Sequence, residues 1–194
     1  MKSLPNILSW ARVIIAPIFL VLFFVHSYEA KLVAIILFFI AAVTDFLDGY
    51  AARKYDATTA WGAFFDPLAD KVLTCAAFVA FGMLGIAPIW AVCLIILRDI
   101  LTTYLRIYSD KRQLEFKTSY IAKFKTFVQM FFISFILWII FIENMRISPD
   151  VTQMCRLIVY SSYIKYTIIA ITILTVWTLV DYLKKPTVKK VKVD

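Results

Sequence analysis

Six stretches of roughly twenty residues, each almost wholly apolar, constrain any fold of this chain. They lie at residues 8–27, 32–53, 62–84, 87–107, 119–142 and 160–183. The hydrocarbon core of a bilayer is roughly 30 Å thick and takes ~20 apolar residues to cross as a helix. Inside it each backbone N–H and C=O must find a partner within its own segment, which a helix provides. Among 194 residues, 62% are hydrophobic, more than the surface of a soluble domain tolerates. The pattern predicts an all-α integral membrane protein with six transmembrane helices. Connections as short as Gly85 to Pro88 leave no space for a soluble domain. Residues 1–183 are therefore expected to form a single membrane domain, followed by a basic tail at 184–194. Residues 1–12, MKSLPNILSWAR, carry apolar Leu4, Ile7, Leu8 and Ala11 at helical spacing beside polar Asn6 and Arg12. That predicts a short amphipathic helix in the interface before the first span, and Pro17 is expected to kink that span.

The formal charge is +8, and its placement sets a topology. If the N-terminus is inside, the inner segments hold Arg53, Lys54, Arg106, Lys111, Arg112, Lys117, Lys123, Lys125 and the tail lysines. The outer ends hold only Lys31, Arg146, Arg156 and Lys165. This bias puts both termini in the cytoplasm. The basic charge then serves topology and anionic lipid rather than nucleic acid. Cys75, Cys93 and Cys155 are scattered through apolar stretches and read as small core residues. A lone His26 cannot build a zinc site.

Residues 45–70, DFLDGYAARKYDATTAWGAFFDPLAD, carry the chemistry. Asp45 and Asp48 are three apart, and Gly62, Asp66 and Asp70 follow at intervals of four, so each set shares one helix face. A short connection at 54–61 lets the two helices bring all four carboxylates together on the cytoplasmic side. Four anions in one place stay ionised only with cations among them, and hard divalent ions suit oxygen donors. Intramembrane carboxylates are costly and mark function by default. Gly49, Ala52 and Gly62 leave space beside them for a ligand. Arg53 is suited to pairing with a diphosphate, the plainer alternative being an interfacial anchor. Lys71, after Asp70, is expected to neutralise the acid cluster.

Further along, Arg98 falls near mid-membrane and Arg106 lies near the same face, eight residues later. Two permanently charged, bidentate guanidinium groups aimed at one cavity suit a phosphate; the alternative is that Arg98 and Asp99 pair structurally with other buried groups. Lys125 and Gln129 share a face of the fifth span and offer a second anion site. Lys123 fits an inner-face anchor more readily than Lys125 does.

The complete pattern D-x2-D-G-x2-A-R-x8-G-x3-D-x3-D resembles the signature of the CDP-alcohol phosphatidyltransferase family. From about residue 3 to 182, AAVTDFLDGYAARK, T-x-W-G-A-F-F-D-P-L-A-D-K, R-D with Arg106, and K-x-K-T-x-x-Q are most similar to its phosphatidylglycerophosphate synthases. The resemblance implies a homodimeric enzyme of a bacterial cytoplasmic membrane, with its site facing the cytoplasm. It implies two divalent ions, Mg2+ or Mn2+, on Asp45, Asp48, Asp66 and Asp70, with Asp70 also the base. Gly49, Ala52, Arg53, Thr59 and Gly62 would line the cytidine diphosphate, while Arg98, Arg106, Lys123 and Lys125 would hold the acceptor phosphate. The implied reaction moves the phosphatidyl group of CDP-diacylglycerol to sn-glycerol 3-phosphate and releases CMP. Asp99 and Ala122 depart from the glutamate and glycine common in that branch, so phosphatidylglycerol, inositol phosphate or serine remain alternative acceptors. A divalent-cation carrier is the alternative from another class; it would need polar groups on both membrane sides, and the outer halves of spans two and three are apolar.

Overall fold

The computed structural model describes residues 4–55, 60–111, 114–115, 120–184 and 188–189. They form seven helices: α1 (Leu4–Phe24), α2 (Tyr28–Tyr55), α3 (Ala60–Met83), α4 (Ile89–Lys111), α5 (Tyr120–Asn144), α6 (Pro149–Val159) and α7 (Ser162–Lys184). Six of these correspond to the six expected apolar helices, and α6 is additional. Two two-residue strands, β1 (Leu114–Glu115) and β2 (Val188–Lys189), pair antiparallel with Leu114 opposite Lys189. Within the basic tail, β2 pairs with the connection after α4.

Two stretches are long and apolar enough to cross a membrane among the described residues. They are Phe124–Asn144 within α5 and Pro149–Asp181 across α6 and α7. Shorter apolar runs lie at Trp10–Phe24 and Lys71–Met83. The expected division of the N-terminus into an interfacial helix and a separate span is not seen. α1 is a single helix that runs through Pro17. A proline inside a helix leaves the carbonyl four residues back without its N–H partner, here that of Val13.

The start of α6 is written in the chain. Ser148 accepts a bond from the Val151 amide at 3.3 Å, Pro149 fills the first turn, and Asp150 sits at the positive end of the helix dipole. At the end of α3, Gly85 adopts φ +72°. The Ile86 amide reaches back to the Phe81 carbonyl at 3.0 Å and the Gly85 amide to Gly82 at 3.1 Å, closing the helix with a left-handed glycine. Gly82 permits the close approach of α4: a Cβ there would meet Val92 at 3.3 Å.

α1 packs on α2 and α3, α4 on α3 and α7, and α5 on α2, α6 and α7. Phe19, Phe23, Phe38, Phe78 and Phe81 fill the core with Ile133, Ile136 and Leu137. The surface reverses the pattern of a soluble protein. Phe124, Phe127, Phe131, Phe135 and Trp138 of α5 point outward, whereas Arg98, Asp99, Lys125 and Gln129 are buried. Apolar outside with charge inside is the arrangement that lipid favours.

Candidate active site

The helical spacing expected of the acids is present in the backbone. Asp45, Asp48, Gly49, Ala52 and Arg53 belong to the second half of α2, and Gly62, Asp66 and Asp70 to the first half of α3. Their side chains lie outside the description, as do those of Arg106 in α4 and Lys123 in α5, and Thr59 lies outside the described residues altogether. As a donor set, four carboxylates from two continuous helices, each pair one turn apart, supply the all-oxygen ligands that Mg2+ or Mn2+ takes. The residues present therefore fit the implied ions.

The described part of the site centres on Asp99. Its side chain is 1% exposed. One oxygen, Oδ1, accepts from Lys125 Nζ at 2.7 Å and from Arg98 Nη1 at 2.9 Å. The other, Oδ2, faces Lys71 Nζ at 3.5 Å without a hydrogen bond. Lys71, expected to neutralise the acids beside it, thus finds Asp99 as its partner among the described side chains. Arg98 is also gripped from behind by α7: Nε donates to the Thr175 carbonyl at 3.2 Å and Nη2 to the Thr178 hydroxyl at 2.8 Å. Gln129 reaches the Thr175 hydroxyl at 3.4 Å. Thr103 closes the group by donating to the Asp99 carbonyl at 2.8 Å.

One carboxylate therefore ties α3, α4 and α5 together, and through Arg98 it ties in α7. Lys125 is fully buried, and a buried ammonium holds its charge only when paired and hydrogen-bonded. Of the residues expected at the acceptor site, Arg98 and Lys125 are brought together. Thr175 and Thr178 escaped the sequence reading, although buried Thr172, Thr175 and Thr178 recur every third residue along an otherwise apolar helix.

A cavity of about 690 Å³ lies between α1, α3 and α4. Val13, Ala16, Pro17 and Leu20 form one wall and Val72, Ala76 and Val79 another, with Ile96 and Ile100 opposite. Lys71, Asp99 and Thr103 give it a single polar end. It is therefore an apolar slot that ends at the cation cluster.

The model of the CDP-alcohol phosphatidyltransferase family matches residues 2–177. The chain belongs to this family. Among its relatives, the CDP-diacylglycerol–glycerol-3-phosphate 3-phosphatidyltransferase of Rickettsia typhi is 39% identical over 139 residues, covering 71% of this chain and 77% of the relative. The enzyme of that name in Salmonella typhimurium is 31% identical over 194 aligned positions, covering 93% of each chain. A probable phosphatidylglycerophosphate synthase of Mycobacterium tuberculosis is 40% identical over 130 residues, covering 66% of this chain and 62% of the relative. The matched range includes the acids of α2 and α3 together with Lys71, Arg98, Asp99 and Lys125.

Proposed function

We propose that this family member transfers the phosphatidyl group of CDP-diacylglycerol to sn-glycerol 3-phosphate, releasing CMP. The relatives that carry this reaction in their names support it over 71% of the chain in one case and 93% in the other. The single observation that carries the choice of acceptor is the buried meeting of Lys125 and Arg98, with Lys71 alongside. That much positive charge in an apolar setting calls for an anionic ligand.

Asp45, Asp48, Asp66 and Asp70 would hold two divalent ions, which when bound screen the diphosphate and the charge of the departing CMP. Gly49, Ala52, Arg53, Thr59 and Gly62 would receive the cytidine diphosphate. Arg98, Arg106, Lys123 and Lys125 fix the phosphate of the acceptor, which orients its free hydroxyl for in-line attack. Asp70 takes the proton of that hydroxyl. The hydroxyl oxygen bonds to the phosphorus that carries diacylglycerol, the bond from that same phosphorus to the bridging anhydride oxygen breaks, and CMP leaves with that oxygen and the electron pair. No covalent enzyme intermediate is required. The apolar slot beside Asp99 is suited to a stretch of lipid chain. Six membrane spans with both termini cytoplasmic place the site where water-soluble acceptor and CMP exchange, in a bacterial cytoplasmic membrane and in a homodimer; the positive-inside bias supports the orientation.

The test is CMP release from CDP-diacylglycerol by the purified protein with each acceptor in turn, with magnesium and after chelation. Glycerol 3-phosphate should support turnover that EDTA abolishes and magnesium restores. Product formed only with inositol phosphate, serine or phosphatidylglycerol would overturn the acceptor, and turnover indifferent to chelation would overturn the ions.

A further inference from the structure

Asp99 has no part in the reaction just described, yet it is the best-connected buried charge among the described residues. We propose that Asp99 is the positioning residue of the acceptor site, holding Lys125, Arg98 and Lys71 at the spacing that receives a phosphate monoester and so favouring phosphorylated acceptors over neutral alcohols. This rests on the phosphate-acceptor reading above.

The argument begins with repulsion. Lys125 Nζ and Arg98 Nη1 both lie within 3 Å of a single oxygen atom, Asp99 Oδ1. Without that oxygen two cations at this separation would push apart, and a fully buried ammonium would be left without its partner, at high cost. The carboxylate therefore gathers the cations before any ligand arrives, which is preorganisation.

It does not saturate them. Three cations against one carboxylate leave two positive charges unmatched among the described side chains. A phosphate monoester carries about −1.5 to −2 at neutral pH, so it completes the balance, and a neutral alcohol does not. The hydrogen-bond inventory agrees. An arginine has five N–H donors and a lysine three. Arg98 uses three on Asp99, Thr175 and Thr178, and Lys125 uses one on Asp99, among the described residues. With respect to the described residues, donors remain for phosphate oxygens on both.

The loosest contact is at Lys71, 3.5 Å from an oxygen that accepts no hydrogen bond. A phosphate drawn there meets the side chain that directly follows Asp70 in α3. Asp99 thus sets the acceptor site relative to the helix that carries the base. Thr175 and Thr178 anchor Arg98 on the α7 side, and Asp99 keeps its remaining nitrogen turned toward Lys125.

The experiment is steady-state kinetics of the full chain in lipid–detergent micelles, varying each substrate. Asp99→Asn should raise KM for glycerol 3-phosphate about tenfold or more, the loss of charge-assisted bonds, and leave KM for CDP-diacylglycerol within about twofold. Asp99→Glu should restore the acceptor KM to within about threefold. Equal movement of both KM values, an unchanged acceptor KM, or a glutamate no better than asparagine would overturn the inference. Should Asp99→Asn fail to fold, Thr178→Val keeps the carboxylate and loosens Arg98; it should raise the acceptor KM about threefold, and no change would count against the proposal. A second arm needs no turnover: inorganic phosphate should raise the melting temperature of the parent protein and of Asp99→Glu, but not of Asp99→Asn. If the parent protein makes no product from glycerol 3-phosphate yet phosphate still separates the variants, the reaction reading falls and the role of Asp99 stands. Equal stabilisation of all, or of none, removes that role.

Discussion

Asp70 and Lys71 are neighbours in α3 with opposite assignments, one to a proton and the other to a buried carboxylate across the helix pair. Asp70→Asn keeps size and hydrogen bonding but cannot accept a proton and binds divalent ions weakly. A general base alone contributes ~10²–10⁴-fold, so turnover should fall by at least that factor while the melting temperature stays within a few degrees; retained CMP release would exclude Asp70 as base. Lys125→Met removes a charge and leaves the stem. Asp99 keeps Arg98 and Lys71, so the protein should fold, with kcat/KM for the acceptor down about 100-fold, the worth of ~3 kcal/mol. Loss confined to the donor KM would contradict the assignment. At this scale the sequence revealed the ionisable residues, because a charge in an apolar run stands out. It did not reveal that Asp99 joins three cations, since two of them, Lys71 and Lys125, are 26 or more residues away and leave no local pattern. The threonines of α7 went unread because a hydroxyl in a membrane helix can bond its own backbone, as Thr172 does to the Ile168 carbonyl.

Among the elements, the long apolar helices were legible from hydropathy and the acid pairs from spacing. α6 was not, because a search for twenty-residue apolar windows passes over an eleven-residue helix with polar residues on one side. Its cap, S-P-D, was present to be read. Its inward face, Cys155 and Val159, packs on α5, and Arg156 bonds Glu143 at 2.8 Å across the same junction. Both groups of that pair are partly exposed, so the bond adds little to stability. Ser148→Ala should lower the stability of this corner by about 1 kcal/mol, seen as earlier exchange of the α6 amides. CMP release should be unaffected, because none of the site residues lies in α5–α6's connection. A loss of activity equal to that of the site variants would mean that α6 bears on catalysis.

At the scale of the whole molecule two gradients matter, one seen in burial and one expected from the placement of charge. From outside to inside the molecule passes from aromatic faces such as Phe127 and Phe131 to the buried Asp99 cluster. The second is the gradient expected from the sequence, from few basic residues at the segments assigned outside to many at those assigned inside. The first gradient suits a bilayer around the bundle, and the second suits anionic lipid at one surface only, where each lysine near the membrane is worth about 1 kcal/mol. The two together make orientation testable with catalysis. In sealed inverted vesicles trypsin should cut the lysine-rich tail after residue 183, and added glycerol 3-phosphate should be consumed without permeabilising the membrane. Right-side-out vesicles should show neither until they are opened. Because a charged acceptor does not cross the bilayer, the two readouts must move together if the tail and the cation cluster share a side. A tail cut in intact right-side-out vesicles would reverse the topology. A tail cut in inverted vesicles that still cannot use external acceptor would mean that the cluster opens to the opposite surface.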